Sequence, residues 1–167
     1  DGVKRLKAAG ASAAEIAAEK ENIRFAWRPM EAGRRLQDLL TEFALTIHSP
    51  RFTPRFLNLF LRTYRQHADH ILHNYSKQGN HLLFEAQRML FAGISGFREA
   101  QEWRRSGIEI LNREIGVQVY PDGMQFELDF GYHIAAIDIF LKALGMARAN
   151  GYEGEFPASY IETVGKM

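Results

Sequence analysis

The sequence has 167 residues, 46% of them hydrophobic and 25% charged, the balance of a single globular domain long enough to bury a proper core. A formal charge of +1 makes no case for a nucleic-acid partner, and no apolar run approaches the ~20 residues of a membrane-spanning helix, so no membrane partner is expected. The absence of cysteine excludes disulfides and thiolate metal sites. The chain opens at Asp1 without Met or an apolar leader, and it reads as a piece of a longer polypeptide.

In chain order, residues 1–11 read as a tail or the end of an earlier helix. Ser12 followed by Glu15 has the form of a capping box, after which an Ala-rich helix runs to about residue 24. Phe25 and Trp27 begin an aromatic junction closed by Pro29. A second helix fits 31–47, with Leu36, Leu39, Leu40 and Phe43 at helical spacing, and Ser49-Pro50 ends it. Thr53-Pro54 is a good helix start, Thr as N-cap and Pro in the first turn. The helix it opens carries Phe56, Leu57, Phe60, Leu61 and Tyr64 and continues to about residue 75.

A short link at 77–79 leads to a fourth helix over 80–94, its end bracketed by Gly93 and Gly96, and a fifth spans 99–117. Tyr120-Pro121-Asp122-Gly123 is a turn by composition, and β-like patches over 117–130 leave room for a short hairpin. The last helix runs over 132–149, stopped by Asn150-Gly151. The tail to 167 reads as irregular, with Pro157 breaking any long helix. Helices joined by such short links place neighbours antiparallel, so the fold class is all-α.

Several polar residues invite chemistry and also have plain structural readings. Asn80 after Gly79 has the residue type of a helix N-cap. His81, Glu85 and Arg88 fall on one stripe of a largely apolar helix. Unpaired buried charge is costly, so the stripe either forms an internal ion-pair network or lines a cleft. Tyr132 and His133 sit at the mouth of an apolar helix, where a tyrosine commonly marks a core edge. His67, His70 and His73 recur every third residue, which spreads them around a helix; a solvated face is expected, and no metal or cofactor. Asp122, Glu127, Asp129 and Asp138 could supply a carboxylate pair for glycoside hydrolysis, at separations the sequence leaves open.

The ordered set Gly79-Asn80-His81-x-x-x-Glu85, then Phe97, Glu99 and Trp103, then 120–128 and Gly131-Tyr132-His133, resembles the helical domain of the heparinase II/III-like polysaccharide lyases. Heparan sulfate lyases are the nearer likeness and oligoalginate lyases the second. The earlier Trp27-Arg28-x-x-Glu31-x-Gly33-x-Arg35 belongs to the same resemblance. One departure is Arg98, where the family often has Pro after the Phe, which bears on the local turn and not on the chemistry.

That family cleaves acidic polysaccharides by β-elimination. A base takes the C5 proton of a uronic acid, and the C4 glycosidic oxygen leaves. The proton is weakly acidic because the neighbouring carboxylate is already negative, so the carboxylate must be neutralised by hydrogen-bond donors. The resemblance implies that Asn80, aided by His81, does so, and that Tyr132 protonates the leaving oxygen. It makes Glu85, Arg88, His133, Gln125, Glu127, Trp27 and Arg28 substrate-binding candidates, with Trp103 and Arg35 as weaker ones.

The implied fold is an incomplete (α/α) toroid, with residues 1–167 a single helical piece. The β-sandwich domain that supplies a further histidine in this family lies outside the stretch, so the piece alone is expected to be inactive or nearly so. The implied partner is an acidic polysaccharide and the implied location periplasmic or secreted. The alternatives are an oligoalginate lyase, a toroid glycoside hydrolase and a non-catalytic acidic-glycan-binding domain.

Overall fold

The computed structural model describes residues 2–167, which are helical apart from turns and one isolated antiparallel bridge between Val119 and Gln125. The helices are α1 (Gly2–Ala8), α2 (Ala13–Ala26), α3 (Pro29–Thr46), α4 (Pro54–Asn74), α5 (Gly79–Ala92), α6 (Ala100–Gln118), α7 (Phe130–Ala149) and α8 (Ala158–Lys166). A 3-10 turn, Glu153–Glu155, lies between α7 and α8. The caps legible in the sequence are formed. The Ser12 amide donates to Glu15 at 2.8 Å and the Glu15 amide to Ser12 Oγ at 3.2 Å, and Thr53 Oγ1 accepts from the Phe56 amide at 3.2 Å.

Of the two readings of the N-terminal stretch, the helical one holds, as α1, and three other expectations are corrected. The C-terminal stretch holds α8. Pro157 does not break that helix but stands at its N-cap, where a missing N–H has no helical acceptor to lose. The hairpin over 117–130 is reduced to the Val119–Gln125 bridge, because α6 runs to Gln118 and takes the residues a longer strand would need; beyond the bridge Leu128 has φ +55°. Finally α7, with 20 residues, is long and apolar enough by composition to cross a membrane, which Asp138 and Lys142 conceal in a search for uninterrupted runs. One of its faces is core: Ala136, Ile139, Phe140, Ala143, Leu144 and Ala147 are buried against α5, α6 and α8.

Three antiparallel pairs form the body. Arg35 meets His67 and Phe43 meets Phe60, so α3 and α4 run in opposite directions. Gly93 lies against Arg104 and Gly107 against Ala86, so α5 and α6 do the same. Phe140 meets Tyr160 and His133 meets Met167, which pairs α7 with α8. Between pairs the helices are parallel. Trp103 Nε1 donates to Asp69 at 3.3 Å and Ser106 Oγ to Tyr75 at 3.1 Å, aligning α6 with α4.

The result is two layers, α3/α5/α7 and α4/α6/α8, an incomplete (α/α) toroid. Pair α5/α6 is its spine, contributing to both hydrophobic cores. One core gathers Leu83, Leu111, Phe140 and Tyr160, the other Leu36, Tyr64, Ile71 and Trp103. The α1/α2 arm contributes no buried residue and leans on the start of α3.

Candidate active site

The layer α3/α5/α7 puts three helix starts on one rim. Gln87 Nε2, buried, donates to the Ile139 carbonyl at 2.8 Å and sets the register of α5 against α7. Asn80 lies seven residues before Gln87 and Tyr132 seven before Ile139, two helical turns in each case, so both occupy the first turns at the same end. The bond from Asn80 Nδ2 to Glu127 Oε1, 3.3 Å long, closes that end. Trp27 and Arg28 immediately precede α3, whose first turns are brought toward the same rim by the packing of Gly33 against Phe84 and Arg88 of parallel α5. Parallel helix N-termini gather unsatisfied N–H groups and the positive ends of helix dipoles, a setting that favours an anion.

Asn80 does not cap its helix. Gly79, in the left-handed region at φ +74°, lets α5 begin one residue earlier, and the N-cap position falls on Gln78, whose side chain makes no capping bond. The Asn80 carboxamide is therefore available, its Nδ2 on Glu127 and its Oδ1 buried without a partner. Tyr132 is 52% exposed. Its backbone amide is capped by Asp129 Oδ1 at 3.0 Å, so α7 starts at Phe130, two residues before the predicted start, and the phenol stands free at the rim.

The 119–129 loop is fastened beside them by polar contacts. His133 Nδ1 accepts from the Gln125 amide at 3.3 Å, which leaves the ring proton on Nε2, facing the Met167 carbonyl at 3.2 Å. Gln125 is fully buried; its Oε1 accepts from the Glu127 amide at 2.9 Å and its Nε2 has no partner. Below the loop, buried Gln118 donates to Glu114 at 2.8 Å and, at 3.5 Å, to the Gly79 carbonyl, while its Oε1 is unpartnered. The orphaned Asn80, Gln118 and Gln125 atoms thus belong to one polar cluster under the rim.

The His81–Glu85–Arg88 stripe does not form one network. Glu85 turns to the α4–α5 link, accepting from the Ser76 amide and Ser76 Oγ, both at 2.7 Å. Burial raises its pKa above the ordinary carboxylate value, against the two Ser76 bonds and the nearby His81. Arg88 donates to Gln87 Oε1 and lies over the Phe84 ring at 4.2 Å, with burial lowering its pKa to about 10. His81 is exposed at the start of α5, on the same turn as Asn80.

At the third helix start, Trp27 stacks on His67 with centroids 5.0 Å apart and meets His70 edge-on. Arg28 pairs with Glu31 at 3.4 Å and lies over Phe25. The histidines expected on a solvated face are divided. His67 is buried, with Arg35 Nε donating to its Nε2 at 2.9 Å and its Nδ1 facing the Thr63 carbonyl; His70 Nε2 donates to the Trp27 carbonyl at 2.6 Å; only His73 is exposed with a local contact to Asp69. Arg35 is therefore a strut of the α2–α3 junction, and Trp103, 0% exposed, is a core residue packed away from any ligand surface.

Sequence reading missed Gln87, Ser76, Gln118 and Leu128, whose roles depend on partners in other elements. Among the described residues no group of three or more His, Asp or Glu side chains converges to hold a metal. A groove of about 610 Å³ along α6, lined by Leu72, Arg98, Glu102 and Glu109, contains none of the candidate residues.

Comparison with known proteins agrees with this architecture. Residues 9–167 match the family described as Heparinase II/III N-terminus. The chain is 57% identical over 155 residues to a heparin-sulfate lyase of Bacteroides stercoris, covering 92% of this chain and 23% of that protein. It is 54% identical over 150 residues to the heparin-sulfate lyase of Pedobacter heparinus, covering 89% and 23%. Among solved structures it superposes on a heparinase III-BT4657 gene product with a TM-score of 0.81 at 62% identity, covering 88% of this chain and 23% of that one. For heparan sulfate lyase HepC from Pedobacter heparinus the TM-score is 0.76 at 54% identity, covering 87% and 23%. The chain therefore spans about a quarter of the length of the curated relatives it matches. With a family match over nearly its whole length and the paired-helix fold to support it, the chain belongs to the heparinase II/III family, of which it is N-terminal helical sequence.

Proposed function

We propose that this chain is the helical part of a polysaccharide lyase that cleaves uronate-containing glycosaminoglycans of the heparan sulfate type by β-elimination. The observation that carries the proposal is the common rim: Asn80-His81 and Tyr132-His133 stand at the same end of two parallel helices, with Trp27-Arg28 at the start of the third. An extended anionic chain laid across that rim meets donors in turn. Asn80 Nδ2, with His81 beside it, neutralises the uronate carboxylate, so that negative charge developing at C5 is stabilised. Tyr132, exposed and unpartnered at its hydroxyl, protonates the departing C4 oxygen.

In this reading the base, and a further histidine, come from parts of the polypeptide beyond this quarter, including a β-sandwich domain. The 1–167 piece alone then has little or no activity, and the whole protein works in the periplasm or outside the cell. The oligoalginate lyase alternative shares the chemistry and differs in substrate.

The test is ultraviolet absorbance of products from the full-length protein incubated with heparan sulfate, heparin and alginate. Elimination leaves a C4–C5 double bond that absorbs, and hydrolysis leaves none. Strong absorbance with heparan sulfate and little with alginate is expected. Chain shortening without absorbance would replace the lyase with a hydrolase, and binding without shortening would leave only a glycan-binding domain.

A further inference from the structure

We propose that Glu127 is the positioning residue for Asn80, holding its carboxamide so that a free N–H, and not the oxygen, faces the substrate carboxylate. The inference rests on the lyase reading above and assigns a role within it. A carboxylate at the rim of a site for a polyanion is unfavourable for binding, so Glu127 calls for a different account. It follows from hydrogen-bond inventory. An amide presents either two donors or an acceptor, and in water it turns between them; an ionised carboxylate only accepts. With Glu127 Oε1 taking one Nδ2–H at 3.3 Å, the carboxamide is held with nitrogen toward the rim, and its second N–H remains for the substrate. The opposite orientation would set Asn80 Oδ1 against the uronate oxygens, acceptor against acceptor.

The loop is shaped for this contact. The Glu127 amide is held by buried Gln125 at 2.9 Å, and the Gln125 amide in turn by His133 at 3.3 Å, so the chain of bonds runs from the first turn of α7 to Asn80 in the first turn of α5. The Leu128 amide closes a turn on the Gln125 carbonyl at 3.0 Å, with Leu128 in the left-handed region at φ +55°. That conformation is unfavourable for a side chain with a Cβ, and Leu128 is 65% exposed, so its own packing does not recover the cost. Strain at the residue following Glu127, maintained by two polar anchors, is a sign that the aim of this loop matters more than its stability.

The test uses the full-length protein and the absorbance assay. A hydrogen bond to a charged group gives an expected loss of about tenfold in kcat for Glu127→Ala, with KM and melting temperature nearly unchanged. Glu127→Gln, which still offers an acceptor oxygen, should recover much of that loss. In an Asn80→Ala background, Glu127→Ala should cost nothing further, because the group it positions is gone. If Glu127→Ala does not fold, the same cycle is run with Glu127→Met, which removes the acceptor while filling a similar volume. Normal kcat in Glu127→Ala, a rise in KM alone, or losses that multiply in the double variant would overturn the assignment. Normal turnover in Asn80→Ala would remove the lyase reading as well, whereas an inactive Asn80→Ala beside a fully active Glu127→Ala removes only the positioning role.

Discussion

Gln87→Met tests the register on which the common rim depends. Methionine fills nearly the same volume in the α5–α7 interface, so packing changes little. What disappears is a pair of polar contacts: the 2.8 Å donation from Nε2 to the Ile139 carbonyl and the acceptance by Oε1 of a bond from Arg88. The first is a buried neutral bond, worth about 1 kcal/mol net. The second involves a half-buried guanidinium whose burial lowers its pKa to about 10, and a bond to a charged group is worth about 1.5–3 kcal/mol. The Ile139 carbonyl keeps its helical partner, so no further penalty is added there.

The expected loss is about 2–4 kcal/mol, and a domain of this size loses roughly 2–4 °C per kcal/mol. Thermal unfolding followed by circular dichroism measures it, and turnover of the full-length protein should fall as well. Arg88→Met separates the contributions, since it removes the guanidinium bond and leaves the Gln87 donation to Ile139 in place. A melting temperature within about 1 °C of the parent for Gln87→Met would refute the argument, because the register would then be held by apolar packing alone.

Tyr132→Phe should lose about 10²–10⁴-fold in turnover with unchanged melting temperature, since the phenol is exposed and bonds to nothing within the chain; near-normal turnover would move the acid role elsewhere. Gly107→Ala should destabilise by about 1–3 kcal/mol although alanine is the better helix former, because its Cβ would press on the Ala86 carbonyl and lie 2.7 Å from the Leu90 amide. A gain in melting temperature would mean that α5 and α6 separate freely. Burial holds the His67 pKa below its ordinary 6.5, so the folded state resists a proton the unfolded chain accepts. Its stabilising contribution is complete above 6.5 and is lost as pH falls through the depressed value. The melting temperature should therefore drop on going from about pH 7.5 to 5.5, and His67→Gln should reduce the drop; an equal drop in the variant would assign it to other groups.

Helix positions were legible because they rest on local chemistry. The Ser12–Glu15 box, the Thr53-Pro54 start and the Asn150-Gly151 stop each act within a few residues of the chain, and each stands where the sequence put it. The ordered residues from Gly79 to His133 likewise carried the family, because a motif is a property of order. Partners across the layers were not legible. Asn80 has the chemistry of a cap, yet a left-handed Gly79 and a glutamate 47 positions away give it another environment. Glu85 could have faced His81, and in the fold it is buried and turned onto Ser76.

Trp103 and Arg35 had suitable types for sugar recognition, and the packing of α4 and α6 and of α2 and α3 placed one in the core and made a strut of the other. His67 and His73 share one helix, and the docking of Trp27 and Arg35 on the first leaves only the second exposed. The sequence by itself determined the helices α2 to α7 and their order, since hydrophobic period and capping are short-range. The tertiary structure decided which side chains share the rim, because that depends on the parallel register of α3, α5 and α7, set by contacts such as Gln87 to Ile139 between residues 52 apart.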